Sequence, residues 1–166
     1  MSDSKKLWPY RSRMEQRMME FVAPNIESGK PHVLAGISAF QYSGLCPLNP
    51  TELRVYIPYP QFNDLFLAGR VHYFYQDPID TEYCVHFHPW CPYILVPSPE
   101  RAIVETILYS MPGIDEGEFL ESLSRYYYTP GLFSVELLQD AASHFGLDSA
   151  VLEYWKKESD DYMAEF

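Results

Sequence analysis

Lysine is missing from the whole stretch between Lys30 and Lys156, and the chain carries only 12 Lys plus Arg against 23 Asp plus Glu. The resulting net charge of −11 repels a phosphate backbone, so no direct nucleic-acid binding is expected. No apolar run reaches the roughly 18 residues of a membrane span, and Met1-Ser-Asp-Ser-Lys-Lys lacks the apolar region of a secretory signal. No membrane contact and a cytoplasmic location are therefore expected. Glycine is scarce at 8, and neither a Gly-x-Gly-x-x-Gly turn nor a Gly-Lys-Ser/Thr phosphate loop occurs. The Gly-x-Ser-x-Gly nucleophile elbow is absent too. A nuclease centre that pairs carboxylates with a strand-borne lysine lacks its lysine. The expectation is no enzyme, no catalytic residue and no cofactor. Three cysteines are an odd number, which argues against a complete disulfide framework and fits a reducing compartment.

What the chain does have is core material and aromatic rings. Its 166 residues, 47% hydrophobic and 21% charged, predict one folded domain. Aromatics reach 16%, led by 14 Tyr and 10 Phe, a residue class that combines apolar area with a polar tip and suits partner surfaces. Charge is unevenly distributed. Residues 1–30 carry six basic and four acidic side chains, a net +2, whereas residues 111–166 carry twelve acidic and three basic, a net −9.

Hydrophobic period divides residues 1–166 into an N-terminal helical segment (1–30), a mainly strand region (31–97), helices (98–157) and an acidic tail (158–166) expected to fray. Met14, Met18, Met19 and Val22 form one stripe of an amphipathic helix over Arg11–Val22, ended by Pro24. Ile37–Gly44 predicts a short helix with Gly44 as its left-handed cap. From Glu52 the period falls to two, and four short strands follow, around Leu53–Ile57, Arg70–Tyr75, Tyr83–His88 and Tyr93–Val96. Ser98-Pro99-Glu100 is a strong helix start: the serine caps, the proline loses no hydrogen bond, and the glutamate complements the positive helix end. Ile103, Val104, Ile107, Leu108 and Met111 give that helix a continuous apolar face. Further helices are expected over Glu116–Tyr127, Ser134–Phe145 and Asp148–Lys157. The fold class expected is α+β, with a small mixed sheet of about four strands packed against an N-terminal helix and a C-terminal group of helices.

Three constellations carry chemistry. On a strand, Cys84, His86 and His88 share one face, and with Cys91 folded back they form a metal-ligand set for a small metal-binding enzyme or sensor domain. The plainer reading is a polar strand face with a partly buried cysteine, and no metal is assigned. Arg101 lies four residues before Glu105, beside Glu100 and the capping Ser98. This is either a solvated i,i+4 pair or a structural tie in which the planar Arg101 fork crosses from helix to sheet. In the acidic final third, Tyr126, Tyr127, Tyr128, Phe133, Tyr154, Trp155 and Tyr162 are interleaved with carboxylates. Tyr126, Tyr127, Tyr154, Trp155, Asp160 and Asp161 are the candidate partner-binding residues, as aromatic anchors within a steering negative field.

The order of motifs is similar to that of a known family. His32-Val-Leu-Ala-Gly-Ile-Ser38-Ala39-Phe40, with Gly44-Leu45, precedes the strand Leu53–Pro58; Pro97-Ser-Pro-Glu100-Arg101-Ala-Ile-Val-Glu105 and acidic amphipathic helices follow. Over roughly residues 30–155 this resembles the C-terminal domain of AbiE-type antitoxins, of the type IV toxin–antitoxin and abortive-infection class used in phage defence. The resemblance implies a protein partner, a nucleotidyltransferase-like toxin that the domain neutralises. In that family an N-terminal winged-helix domain represses the operon. The 30 or so residues ahead of the matching region are too few for one, so autorepression is not carried over, in keeping with the charge.

Overall fold

A computed structural model of the chain describes residues 31–46, 52–58, 64–66, 69–88 and 91–166. Among these residues the fold is α+β: six strands in one mixed sheet, with one helix after the first strand and a run of helices after the last. Strands β1 (His32–Leu34), β2 (Glu52–Ile57), β3 (Asp64–Phe66), β4 (Gly69–Tyr75), β5 (Cys84–His88) and β6 (Cys91–Pro97) lie in the order β3-β4-β2-β1-β6-β5. β1 is central, antiparallel to β2 and parallel to β6. β2 and β4 are parallel, and β3 and β5 close the two edges as antiparallel partners of β4 and β6. The four strands expected from alternation are present, and the three-residue β1 and β3 add to them. The expected helix over Arg11–Val22 lies outside the described residues.

Alternation puts Leu34, Val55, Ile57 and Ile94 on one face of the sheet, all fully buried. Val33, Ala35, Tyr56 and Leu95 line the other, with Phe74, Ile79 and Cys84 packed beside them. Helix α1 (Gly36–Tyr42) follows β1 directly. Gly36 takes a φ of +51, and a Cβ there would collide with the backbone carbonyls of Pro112 and Gly113, so glycine alone lets α1 start against that turn. Ser43 is the C-cap of α1, and Gly44 follows it at φ +85. The Leu45 N–H then reaches back 2.8 Å to the Phe40 carbonyl, the closure expected of a left-handed cap.

Helix α2 (Pro99–Leu108) opens as its sequence demands: the Ser98 hydroxyl accepts from the Arg101 N–H at 3.1 Å. Helices α3 (Glu116–Tyr128), α4 (Val135–Phe145) and α5 (Ser149–Ala164) complete the fold. α1 touches β2 and β6 and α2 touches β6, while α4 packs on α2 and α5 on α3, so the later helices form a second layer. Ile37, Phe40, Ile103, Val104, Phe119, Leu123, Leu138, Ala141, Ala142 and Leu152 build the interhelical core. The frayed tail expected from residue 158 is instead the last part of α5. Ser159, fully buried, donates its hydroxyl to the Leu120 carbonyl at 2.9 Å and holds that stretch on α3. No helix among the described residues is long and apolar enough to cross a membrane.

Candidate functional site

Two features stand out: a buried ionic lock where sheet and helices meet, and an open face on the second helical layer. Arg101 sits one turn into α2 and is 0% exposed, so its guanidinium must find every partner inside the protein. Its Nε donates to Glu105 Oε1 at 2.9 Å and one terminal nitrogen to Glu105 Oε2 at 3.3 Å, a two-pronged pairing one helical turn along. The other terminal nitrogen donates to the Glu82 carbonyl at 2.6 Å and lies 4.0 Å from Asp80. The guanidinium carbon also stands 5.0 Å from the centre of the Phe145 ring on α4.

The backbone of the loop between β4 and β5 is shaped to meet this group. Tyr83 adopts φ +60, a conformation that costs a side-chain-bearing residue about 1–3 kcal/mol. The carbonyls on either side of that residue's nitrogen and Cα are captured by the start of α2, Glu82 by Arg101 and Tyr83 by the Ser98 N–H at 2.7 Å. Asp80, from the same loop, accepts the Glu82 N–H at 2.8 Å and pairs with His144 at 2.7 Å. Sheet edge, α2 and α4 are thus tied at one point. Of the two readings of Arg101, the geometry is that of the cross-layer tie and not of a solvated pair.

Electrostatics follow from the burial. Desolvation alone lowers the Arg101 pKa, but the Glu105 hydrogen bond and charge outweigh it, so the guanidinium is more firmly charged than usual. Cys84, beside this lock, has its thiol pushed up to about 12 by burial, against the opposing pull of Arg101. It is a protonated, weakly nucleophilic thiol at neutral pH. Tyr56 is shifted upward by burial and by Glu105, and its ring meets Tyr109 edge-on at 5.9 Å.

The second feature is built from α3, α4 and α5. Tyr127, Phe133, Val135, Leu138, Gln139, Ser149, Leu152, Glu153 and Lys156 enclose an open cavity of about 220 Å³. Phe133 packs on Tyr127 with ring centres 4.9 Å apart, and Val135 and Leu137 are each about half exposed. Lys156 lies over the Tyr127 and Tyr128 rings, 5.3 and 5.5 Å from their centres, and donates to Asp160 at 3.1 Å. The Tyr128 hydroxyl also donates to Asp160, at 2.7 Å. Those two donors hold the Asp160 carboxyl below the usual range, with the Tyr128 bond the larger influence.

Only part of the expected partner-binding set belongs to this face. Tyr126 does not: it is 0% exposed, and its hydroxyl donates to Glu100 Oε2 at 2.7 Å while accepting the Ser134 N–H at 3.2 Å. It is a core strut, because Phe133 and Tyr127 close over its ring edges. Glu100, in the first turn of α2, is accordingly buried as its acceptor. Ser149, Leu152, Glu153 and Lys156 form one stripe of α5, and Asp160 continues it at 100° per residue. Tyr154 and Asp161, both exposed, lie about 100° or more round that helix from the middle of the stripe, and Trp155 is partly buried edge-on to Phe119 at 5.4 Å. Of the six, Tyr127 and Asp160 are the two that the fold brings to the cavity side. Val135, Glu153 and Lys156 were missed. For Glu153 and Lys156 the signal was the i,i+3,i+4,i+7 stripe from Ser149 to Lys156, which mixes polar and apolar residues and so hides from hydrophobic periodicity; Val135 lies on α4, three and four residues before Leu138 and Gln139.

The proposed metal ligands are only partly visible. Cys84 is described, whereas the side chains of His86, His88 and Cys91 lie outside the described residues. The backbone pairs His88 of β5 with Cys91 of β6. Among the described residues no group of three or more His, Cys, Asp or Glu is placed to hold a metal ion. No protein-family model and no curated protein matches the chain.

Proposed function

We propose that this chain is an antitoxin-like protein-binding domain that neutralises a nucleotidyltransferase-type toxin by steric and electrostatic masking, without binding DNA. The observation that carries the reading is the open, ring-lined cavity set in the most acidic part of the chain. An enzyme that handles nucleotides needs a cationic cleft, and a carboxylate-rich surface is complementary to one. Aromatic side chains at the same place supply area that stays rigid on binding. The face is also held in advance: Tyr126 braces α3 against Glu100 of α2, and Ser159 pins α5 to α3. Little ordering is then left to oppose association. The resemblance of Ser98-Pro99-Glu100-Arg101 to Glu105 and its flanking motifs to AbiE-type antitoxins supplies the partner class.

The test is co-expression with the product of the neighbouring gene. The expected result is that this product is toxic alone, harmless with the chain, and recovered with it as a stable complex. A neighbour harmless by itself, or recovered free of the chain, overturns the proposal.

A further inference from the structure

We infer that the cavity between α3, α4 and α5 is an anchor pocket for one large apolar side chain presented by a cationic amphipathic helix of the partner; this rests on the protein-binding reading above. The shape argues for a helix. One wall is Val135, Leu138 and Gln139, spaced i, i+3, i+4 on α4, and the other is Ser149, Leu152, Glu153 and Lys156 on α5. Two helix ridges of that spacing leave between them the groove that a third helix fills.

Volume decides what enters. At about 220 Å³ the cavity is smaller than the roughly 300–1,000 Å³ of sites that take drug-sized molecules. It is larger than the ~150 Å³ that admits benzene, which is the scale of one big side chain. Tyr127, Phe133, Val135, Leu138 and Leu152 form the apolar side of its wall and Gln139, Ser149, Glu153 and Lys156 the polar side, so an apolar side chain packs on the former while cations flanking it meet Glu153.

Charge decides what surrounds the knob. Glu153 lines the cavity, and Glu136, Asp140 and Asp148 each adjoin a lining residue in the chain, Val135, Gln139 and Ser149, against one adjoining cation, Lys157. Lys156 adds no free positive charge, because Asp160 already pairs with it. A second copy of this chain would bring its own −11 to the same place, and an anionic lipid surface would be repelled. A helix with lysines or arginines flanking its apolar stripe is the occupant that fits.

The experiment uses the full chain and a fluorescent 16-residue synthetic helix with leucine at i, i+3, i+4 and i+7 and lysine at the flanking positions. Anisotropy is read at about 150 mM salt. Val135→Thr, which keeps shape, and Glu153→Gln are each expected to weaken binding about fivefold or more, as is replacing the central peptide leucine by alanine. Glu165→Gln, at the C-cap of α5 and about 18 Å from Glu153 at 1.5 Å per residue, is expected to change it less than about twofold. Equal losses at Glu153 and Glu165, no effect of the peptide alanine, or no binding at 100 µM each overturn the pocket. Circular dichroism verifies that the variants fold. A partner complex that forms in co-expression but ignores Val135→Thr and Glu153→Gln refutes the pocket alone. Peptide binding at the pocket with no complex in co-expression refutes the toxin reading alone.

Discussion

Replacing Arg101 by methionine is the sharpest test of the ionic lock. The substitution keeps most of the aliphatic stem and its packing on Phe145 but removes the charge, leaving the Glu105 carboxylate, 2% exposed, without its ionic partner and with a 3.5 Å contact from the Gln76 amide. Breaking a buried pair from one side costs about 3–5 kcal/mol. The Glu82 carbonyl also loses a donor, and the loop strain at Tyr83 loses part of what holds it. Against a total stability on the order of 5–15 kcal/mol, Arg101→Met removes about a fifth or more. Arg101→Lys does not rescue it, because an ammonium cannot reach two Glu105 oxygens and the Glu82 carbonyl with one planar fork. Glu105→Leu placed on top of Arg101→Met takes away the stranded charge, so the double variant is expected to be more stable than the sum of the two singles by about 1–3 kcal/mol. The assay is equilibrium urea unfolding followed by circular dichroism, with an unchanged denaturant slope as the sign that the same two states are compared. A loss below about 1 kcal/mol for Arg101→Met, or strict additivity in the double variant, refutes the reasoning.

Tyr126→Phe leaves a buried carboxylate, Glu100, without its 2.7 Å donor. It is expected to cost about 1.5–3 kcal/mol, seen as a melting temperature lower by about 2–4 °C per kcal/mol; a phenylalanine variant as stable as the parent removes the strut. Asp80 gives a pH dependence: partial burial pulls its pKa up, but the Glu82 N–H and His144 outweigh that and leave it lowered in the folded state. Its contribution is therefore present above the unfolded value near 3.9 and is lost as pH falls through the lower folded value. Because the Asp80–His144 pair is more than a third exposed, the effect is small, at most about 1 kcal/mol, and Asp80→Asn is expected to flatten the stability profile in acid. An Asn variant with an unaltered acid limb contradicts it. Cys84, with its thiol near 12, is about 10⁻⁴ thiolate at pH 8, so iodoacetamide is expected to modify it far more slowly than an ordinary cysteine of pKa about 8.5. Peptide mass spectrometry shows this directly, and alkylation at the free-cysteine rate in the folded chain counts against the burial.

Much of the fold is legible in the sequence, because the signals are local. Ser98-Pro99-Glu100 starts α2, Gly44 and Gly146 close α1 and α4, and the two-residue period of Leu53, Val55 and Ile57 marks a buried strand; each is a matter of neighbours in the chain. β1 and β3 are not legible, since three residues are too few to show a period, and they exist through pairing with β2, β6 and β4. Asp115 and Glu118 form a full capping box, which their three-residue spacing encodes.

The lock and the open face are decided elsewhere. Spacing places Glu105 one turn from Arg101, but burial of the pair depends on Glu82, 19 residues upstream, and on Phe145 from α4. Tyr126, Tyr127 and Tyr128 are consecutive and chemically identical, yet one is a strut, one lines a cavity and one is mostly exposed, according to which helix covers which side of α3. The acidic end of α5 reads as solvated until Ser159 finds the Leu120 carbonyl. A chain's own neighbours set its dihedral preferences and its period, whereas burial, and with it the role of every ring and charge here, is set by distant segments that arrive only when the layers pack.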